Sequence, residues 1–155
     1  MAKSVLFVCL GNICRSPLAE AAFKAEAKRL GLEVEIDSAG TGDWHVGRAP
    51  DHRAIAVAKK NGIDITHLRA RQVTPHDFER FDYIVALDAQ NLANLRAIQP
   101  AGGRTRLSLL LDYAEGRGGQ AVADPYYGDA DHFDTAWAEI AEGARGLARA
   151  IAEEA

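Results

Sequence analysis

The chain has 155 residues, 48% of them hydrophobic and 26% charged, with 5 prolines. That balance fits one folded domain, expected to span 1–155, and excludes a disordered or fibrous chain. A formal net charge of −4 leaves no overall positive field for a nucleic-acid backbone or an anionic bilayer, so neither is expected as a partner. The charge is uneven. Residues 1–80 carry 12 basic and 10 acidic side chains, and residues 81–155 carry 6 and 12, which assigns any anion chemistry to the N-terminal half.

The first apolar run, Val5 to Leu10, is too short for a membrane span or a signal-peptide core, and Gly11, Asn12 and Arg15 break the apolar character immediately after it. A cytoplasmic protein is expected. Val5–Val8 is continuously apolar and reads as a strand buried on both faces. Ser16-Pro17 then supplies an N-cap and a first-position proline for a helix running to about Leu30. Ala19, Phe23, Ala27 and Leu30 line one side of that helix, and Gly31 stops it.

Val34 and Ile36 alternate with acidic residues, predicting an edge strand that ends at the Ser38–Gly42 turn cluster. From Asp51, the spacing of Ala54, Val57 and Ala58 predicts a short helix ending at Asn61-Gly62. Phe81–Leu87 reads as a third strand centred on Tyr83–Ala86, and Leu92, Leu95 and Ile98 as the face of another helix. Leu107–Leu111 fits either a fourth strand or a buried helical turn.

Residues 115–131 are rich in glycine and aspartate and too long for a plain connection, which points to a functional loop. Phe133, Trp137, Ile140, Ala144, Leu147 and Ile151 mark a last helix. Strands alternating with helices predict an α/β fold: a small parallel sheet of about four strands with helices on both faces. Ligands of such sheets sit beyond the carboxyl ends of the strands, where Cys9 lies.

The two cysteines, Cys9 and Cys14, come without a secretory signal, so a disulfide framework is not expected. Cys9-Leu10-Gly11-Asn12-Ile13-Cys14-Arg15-Ser16 instead puts a thiol at a strand end, followed by a loop that tolerates positive φ at Gly11 and Asn12, and then an arginine at a helix start. Successive N–H groups of such a loop curl into an anion nest, and the helix behind it adds partial positive charge. That field and the guanidinium of Arg15 favour the thiolate of Cys9, which is the nucleophilic form. Arg15 also offers a planar fork for two phosphate oxygens.

This segment resembles the signature loop of the low-molecular-weight protein tyrosine phosphatases. Asp37–Gly40, Asp43-Trp44, Val46-Gly47, Ala70–Val73, Phe81–Ile84 and Asp124–Gly128 are similar to that family in order and spacing, so the resemblance covers nearly the whole chain. It implies a flavodoxin-like sheet of the phosphotyrosine protein phosphatase I type. It further implies hydrolysis of phosphotyrosine and aryl phosphate monoesters through a phosphocysteine on Cys9, with Arg15 binding the phosphate. Asp124 would protonate the leaving phenolate and then deprotonate the attacking water.

Ser16 would double as helix cap and donor to the Cys9 sulfur. Leu10, Gly11, Asn12, Ile13, Cys14 and Ser16 would bind substrate, and Trp44, Tyr126 and Tyr127 would wall the aryl ring. Asn12, Ser38 and His67 would brace the loop. Cys14 would trap an oxidised Cys9 as a reversible disulfide. A phosphoarginine branch of the family has threonine where Ile13 stands, which favours phosphotyrosine. The partners implied are phosphotyrosine proteins and a cognate tyrosine kinase, for a monomer or weakly self-associating chain.

No cofactor is expected. Asp129, Asp131 and Asp134 fail the Ca²⁺-loop spacing, and acidic residues ahead of a helix suit its dipole, so metal-independent catalysis is the expectation. Three alternatives remain: an arsenate reductase of this architecture, which needs cysteines beyond Cys14 that the chain lacks; a noncatalytic phosphate- or flavin-binding module; and a Cys9/Cys14 zinc site, for which the histidines have no familiar spacing.

Overall fold

The computed structural model describes residues 3–154. Among them, β1 (Lys3–Cys9), β2 (Val34–Gly40), β3 (Tyr83–Ala86) and β4 (Arg106–Leu109) form one parallel sheet in the order β2-β1-β3-β4. The connections carry helices α1 (Arg15–Leu30), α2 (His52–Lys60), α3 (Asp77–Arg80) and α4 (Ala89–Ile98), and α5 (Ala130–Glu154) follows the last strand. This is the flavodoxin-like α/β class. The chain leaves β1 to one side for β2 and later returns to its other side for β3, so the order reverses at β1 and a crevice opens at its carboxyl end.

The two-residue alternation of a strand sorts β1 and β3 into two cores. Val5, Phe7, Tyr83 and Val85 pack with side chains of α1, α2 and α5, while Leu6, Val8, Ile84 and Ala86 pack with Phe78, Phe81 and Leu95 around α3 and α4. Burial on both faces is what made Val5–Val8 a continuous apolar run. The stripe of α5 is buried at Phe133, Ile140, Ala144, Leu147 and Ile151, with Trp137 half-buried. Each large member contributes about 1.5–3 kcal/mol. The exposed Lys60–Asp134 pair contributes at most about 1 kcal/mol, so packing holds this helix in place.

Several boundaries differ from the sequence reading. α1 starts at Arg15 with Cys14 in the cap position, which puts Ser16 inside the first turn and not at the N-cap. Its hydroxyl is turned instead toward the sulfur of Cys9. Gly31 does end α1, at φ 68, but Leu30 is exposed, and after the reversal Leu32 packs on the core instead. β2 is an edge strand that runs on through Ser38-Ala39-Gly40, because those residues pair with Phe7, Val8 and Cys9. Leu107–Leu111 is both alternatives in succession: β4 ends at Leu109, and a 3₁₀ turn begins at Leu110, packed against Gly143 of α5. The four-residue α3 is too short to leave a periodic signature.

Candidate active site

β1 delivers Cys9 to the sheet's carboxyl edge, and residues 10–14 curl from there into α1. Asn12 sits at φ 57, the left-handed conformation that asparagine tolerates. The chain beyond β2 holds the loop's outer side: Thr41 N–H donates to Cys9 O (2.9 Å) and Gly42 N–H to Leu10 O (2.9 Å). Gly40 passes so close that a Cβ there would stand 2.8 Å from Leu10 O and 3.1 Å from Asn12 N. On the other side, Asp51 N–H donates to Ile13 O (2.8 Å).

A directed hydrogen-bond chain runs behind the loop. The buried carboxylate of Glu20, paired with Lys24 at 2.7 Å, can only accept, so Ser38 Oγ donates to it (2.7 Å). The Ser38 oxygen then accepts from Asn12 Nδ2 (3.0 Å), and the other Nδ2 proton goes to Ser16 Oγ (2.8 Å). Arg71 N–H, donating to Asn12 Oδ1 (3.0 Å), fixes which way that amide faces. Ser16 is left with a hydroxyl proton for Cys9 Sγ at 3.0 Å; the longer alternative is Ala39 O at 3.4 Å. Ser16 N–H also reaches the sulfur, at 3.4 Å.

Arg15 is 2% exposed. Its Nη1 donates to Asp88 Oδ2 (2.7 Å) and Val122 O (2.8 Å), which leaves the Nε–Nη2 edge without a hydrogen bond among the described residues. Nη2 lies 3.6 Å from Asp124 Oδ2. Asp88 follows β3 and caps α4 through Asn91 N–H (2.7 Å), while Val122 N–H donates to Leu87 O (2.9 Å). The guanidinium is therefore fixed by one acid and one carbonyl from segments more than 70 residues away.

Cys9, Arg15 and Asp124 border one cavity of about 430 Å³, together with Leu10, Gly11, Ile13 and Cys14. Trp44, Tyr126 and Tyr127 complete its wall, and so does His45, which has no local signature in the sequence. Tyr126 meets Tyr127 edge-on at 4.9 Å, but Tyr127 is 95% exposed and stands at the mouth. Asn12 and Ser16 do not line the cavity: their side chains turn into the hydrogen-bond chain behind it. Asp124 is exposed, and its Oδ1 accepts from Tyr126 N–H (3.1 Å).

Of the three bracing residues expected, Asn12 and Ser38 meet behind the loop and His67 does not. His67 is exposed and has no hydrogen bond to the loop among the described residues. Asp64 shapes its turn by accepting from Thr66 N–H (2.9 Å) and Oγ1 (2.7 Å), and the turn sends Ile65 and Leu68 inward and His67 out. The main-chain N–H of Arg71 does the bracing on that side. Glu20 and Asp88 had no local signature, although an acid directly beyond the carboxyl end of β3 was a place to look; Arg71 lies in the Ala70–Val73 stretch that carries the resemblance, with no role expected of it.

Both cysteines are free and buried. Burial, more than any neighbour, pushes the Cys14 thiol well above its ordinary range; Asp51, Cys9 and Asp124 add to this and Arg53 opposes it. Asp129, ahead of α5, accepts from the N–H groups of Asp131 (3.1 Å) and His132 (3.3 Å), as an acid at a helix start does. No helix among the described residues is long and apolar enough to cross a membrane.

Residues 4–155 match the family model described as low molecular weight phosphotyrosine protein phosphatase. A Schizosaccharomyces pombe protein of that name is 47% identical over 151 residues, 96% of each chain. A crystal structure of a protein tyrosine phosphatase from Entamoeba histolytica superposes with a TM-score of 0.93 at 34% identity, covering 99% of each chain. That of YfkJ from Bacillus subtilis gives 0.92 at 40% identity, covering 99% of this chain and 97% of its own.

Proposed function

The chain belongs to the low molecular weight phosphotyrosine protein phosphatase family, and from that premise we propose that Cys9, Arg15 and Asp124 divide its catalysis among them. It is a protein tyrosine phosphatase, a hydrolase of phosphoprotein substrates. The observation that carries the assignment is the shared cavity, in which a sulfur with two donors, a guanidinium edge left open and an exposed carboxyl face the same space.

In the first half-reaction Cys9 Sγ attacks phosphorus and the P–O bond to the tyrosine ring breaks. Asp124 gives its proton to the departing phenolic oxygen. The nest of loop N–H groups and the Nε–Nη2 edge of Arg15 hold the equatorial oxygens. In the second, water attacks the phosphocysteine, Asp124 takes its proton and the S–P bond breaks. The Ser16 hydroxyl supports the sulfur as it leaves with the bonding pair. Ile13, apolar and on the cavity wall, suits an aryl ring and offers nothing to the N–H groups of a phosphoguanidine. Every donor in the two half-reactions is the chain's own, so neither cofactor nor metal has a step to perform.

The same reading makes Cys14 a guard. Peroxide oxidises Cys9 to the sulfenic acid, Cys14 Sγ displaces water from it, and the disulfide later returns to two thiols at the expense of an external thiol. A well-protonated Cys14 fits this order, since it leaves the first oxidation to Cys9. The full chain acts as a single cytoplasmic domain, monomeric or weakly self-associating, on proteins phosphorylated by a tyrosine kinase.

The test is hydrolysis of aryl phosphates in EDTA. Cys9→Ser is expected to abolish turnover, and Asp124→Ala to cost most with poor leaving groups. Equal losses across leaving groups would remove Asp124 from the acid role, and inactivation by EDTA with rescue by a divalent ion would overturn the metal-free mechanism. For Cys14, the measurement is recovery by thiol after peroxide: Cys14→Ser should recover less than the parent.

A further inference from the structure

Asp124 is exposed, and packing alone does not fix where its carboxyl stands. Its loop is nonetheless tied down by one side chain of α2. Arg53 lays Nε and Nη2 against the two oxygens of Asp51 (3.0 Å each), and it donates from Nη2 to Tyr126 O (2.8 Å) and from Nη1 to Gly128 O (2.7 Å). The guanidinium carbon lies 4.7 Å from the centre of the Phe133 ring and 5.7 Å from that of Tyr126. Asp51 in turn gives its N–H to Ile13 O at 2.8 Å.

These contacts form an unbroken path. It leads from the nucleophile loop at Ile13 through Asp51 and Arg53 to the Tyr126 carbonyl, and the N–H of Tyr126 holds Asp124 Oδ1 at 3.1 Å. We propose that Arg53 is a positioning residue for the acid step, the strut that sets the distance between the Asp124 loop and the phosphate loop. The inference rests on the proposed roles of Cys9 and Asp124. Only a planar fork can serve a carboxylate and two diverging carbonyls together; the single ammonium of a lysine cannot. Without Arg53 the loop loses both carbonyl anchors, and the carboxyl no longer meets the leaving oxygen at hydrogen-bond distance. None of the hydrogen bonds to the Cys9 sulfur or from Arg15 involves Arg53.

The consequence is selective. Attack by Cys9 proceeds as before, whereas proton delivery fails, so the loss grows with the basicity of the leaving group. The experiment compares kcat/KM for 2,4-dinitrophenyl phosphate and phenyl phosphate in the parent, Arg53→Gln, Arg53→Lys, Asp124→Ala and the double variant Arg53→Gln/Asp124→Ala. Taking both substrates on one preparation cancels any misfolded fraction from their ratio.

Arg53→Gln is expected to lower the phenyl phosphate value about 10–100-fold, the scale of a displacement of roughly 1 Å, and the dinitrophenyl value no more than about threefold. Arg53→Lys should fall between Arg53→Gln and the parent. In the Asp124→Ala background, Arg53→Gln should leave the ratio unchanged. Equal losses on both substrates, or a further change of ratio without Asp124, would overturn the strut. If Asp124→Ala itself shows no leaving-group dependence, the acid assignment falls and takes the strut with it. If Asp124→Ala shows it and Arg53→Gln does not, only the strut falls.

Discussion

Asn12→Ala tests the hydrogen-bond chain behind the loop at its centre. The substitution removes the two bonds from Nδ2 and the acceptor of the Arg71 N–H at a site 3% exposed. A buried N–H left without a partner costs about 1–3 kcal/mol. Alanine at φ 57 adds about 1–2 kcal/mol, because its Cβ crowds the following carbonyl. The expected loss is therefore about 2–5 kcal/mol, out of the roughly 5–15 kcal/mol typical of a domain. The fold should survive while the loop loses its order.

Urea unfolding midpoints, with and without inorganic phosphate, measure the first part, and kcat on an aryl phosphate the second. Asn12→Gly restores the backbone but not the bonds. It should lie between the parent and Asn12→Ala, less about 0.5–1 kcal/mol for glycine's freedom in the unfolded chain. A loss under about 1 kcal/mol for Asn12→Ala, with kcat unchanged, would refute the bonding scheme.

Gly40→Ala drives a Cβ into Leu10 O and Asn12 N, so kcat/KM should fall about tenfold or more, equally for good and poor leaving groups; parental kinetics would show that the loop accommodates it. Glu20→Leu frees the Ser38 proton to turn toward Asn12 and should lower kcat about tenfold, whereas Glu20→Gln keeps an acceptor and should recover most of it; equal activities would count against the chain's direction. Partial burial pushes the Asp51 carboxyl up, but hydrogen bonds from Arg53 outweigh this and hold it below its ordinary value. Its stabilisation is thus complete above about pH 4 and is lost as pH falls through the folded-state value. Acid titration of stability in Asp51→Asn should lack that segment of the curve, and an unchanged profile would contradict it.

Most of the scaffold was legible because local patterns carried it. Val5–Val8 announced a strand covered on both sides, Gly31 the end of α1, and Asp51 the cap of α2, which it is, through Arg53 N–H. Leu107–Leu111 could not be divided from sequence, since five apolar residues fit β4 and the 3₁₀ turn equally well. The residues spaced from Cys9 to Ser16 were legible as an anion site because strand end, loop and helix start are contiguous. What stayed hidden were partners that folding brings in without a local pattern: Asp88 to Arg15 across 73 positions, Arg53 to Tyr126 across 73, Ser38 to Glu20 across 18. Ser16 divides the two roles expected of it: Cys14 holds the cap position, while the hydroxyl does stand at the Cys9 sulfur.

Val122 has a practical consequence. Fully buried, it gives its N–H to Leu87 and its carbonyl to Arg15, so the chain is clamped before it reaches the acid. Upstream, Gly118 faces open space, and the neighbouring turn is tied to Ala114, to Asp112 and to α5. A foreign sequence spliced in beside Gly118, whether a fluorophore tag or a whole reporter module, would be mechanically insulated from the chemistry. Turnover by a chain labelled there is expected to match that of the parent, because Val122 stands between the splice and the acid.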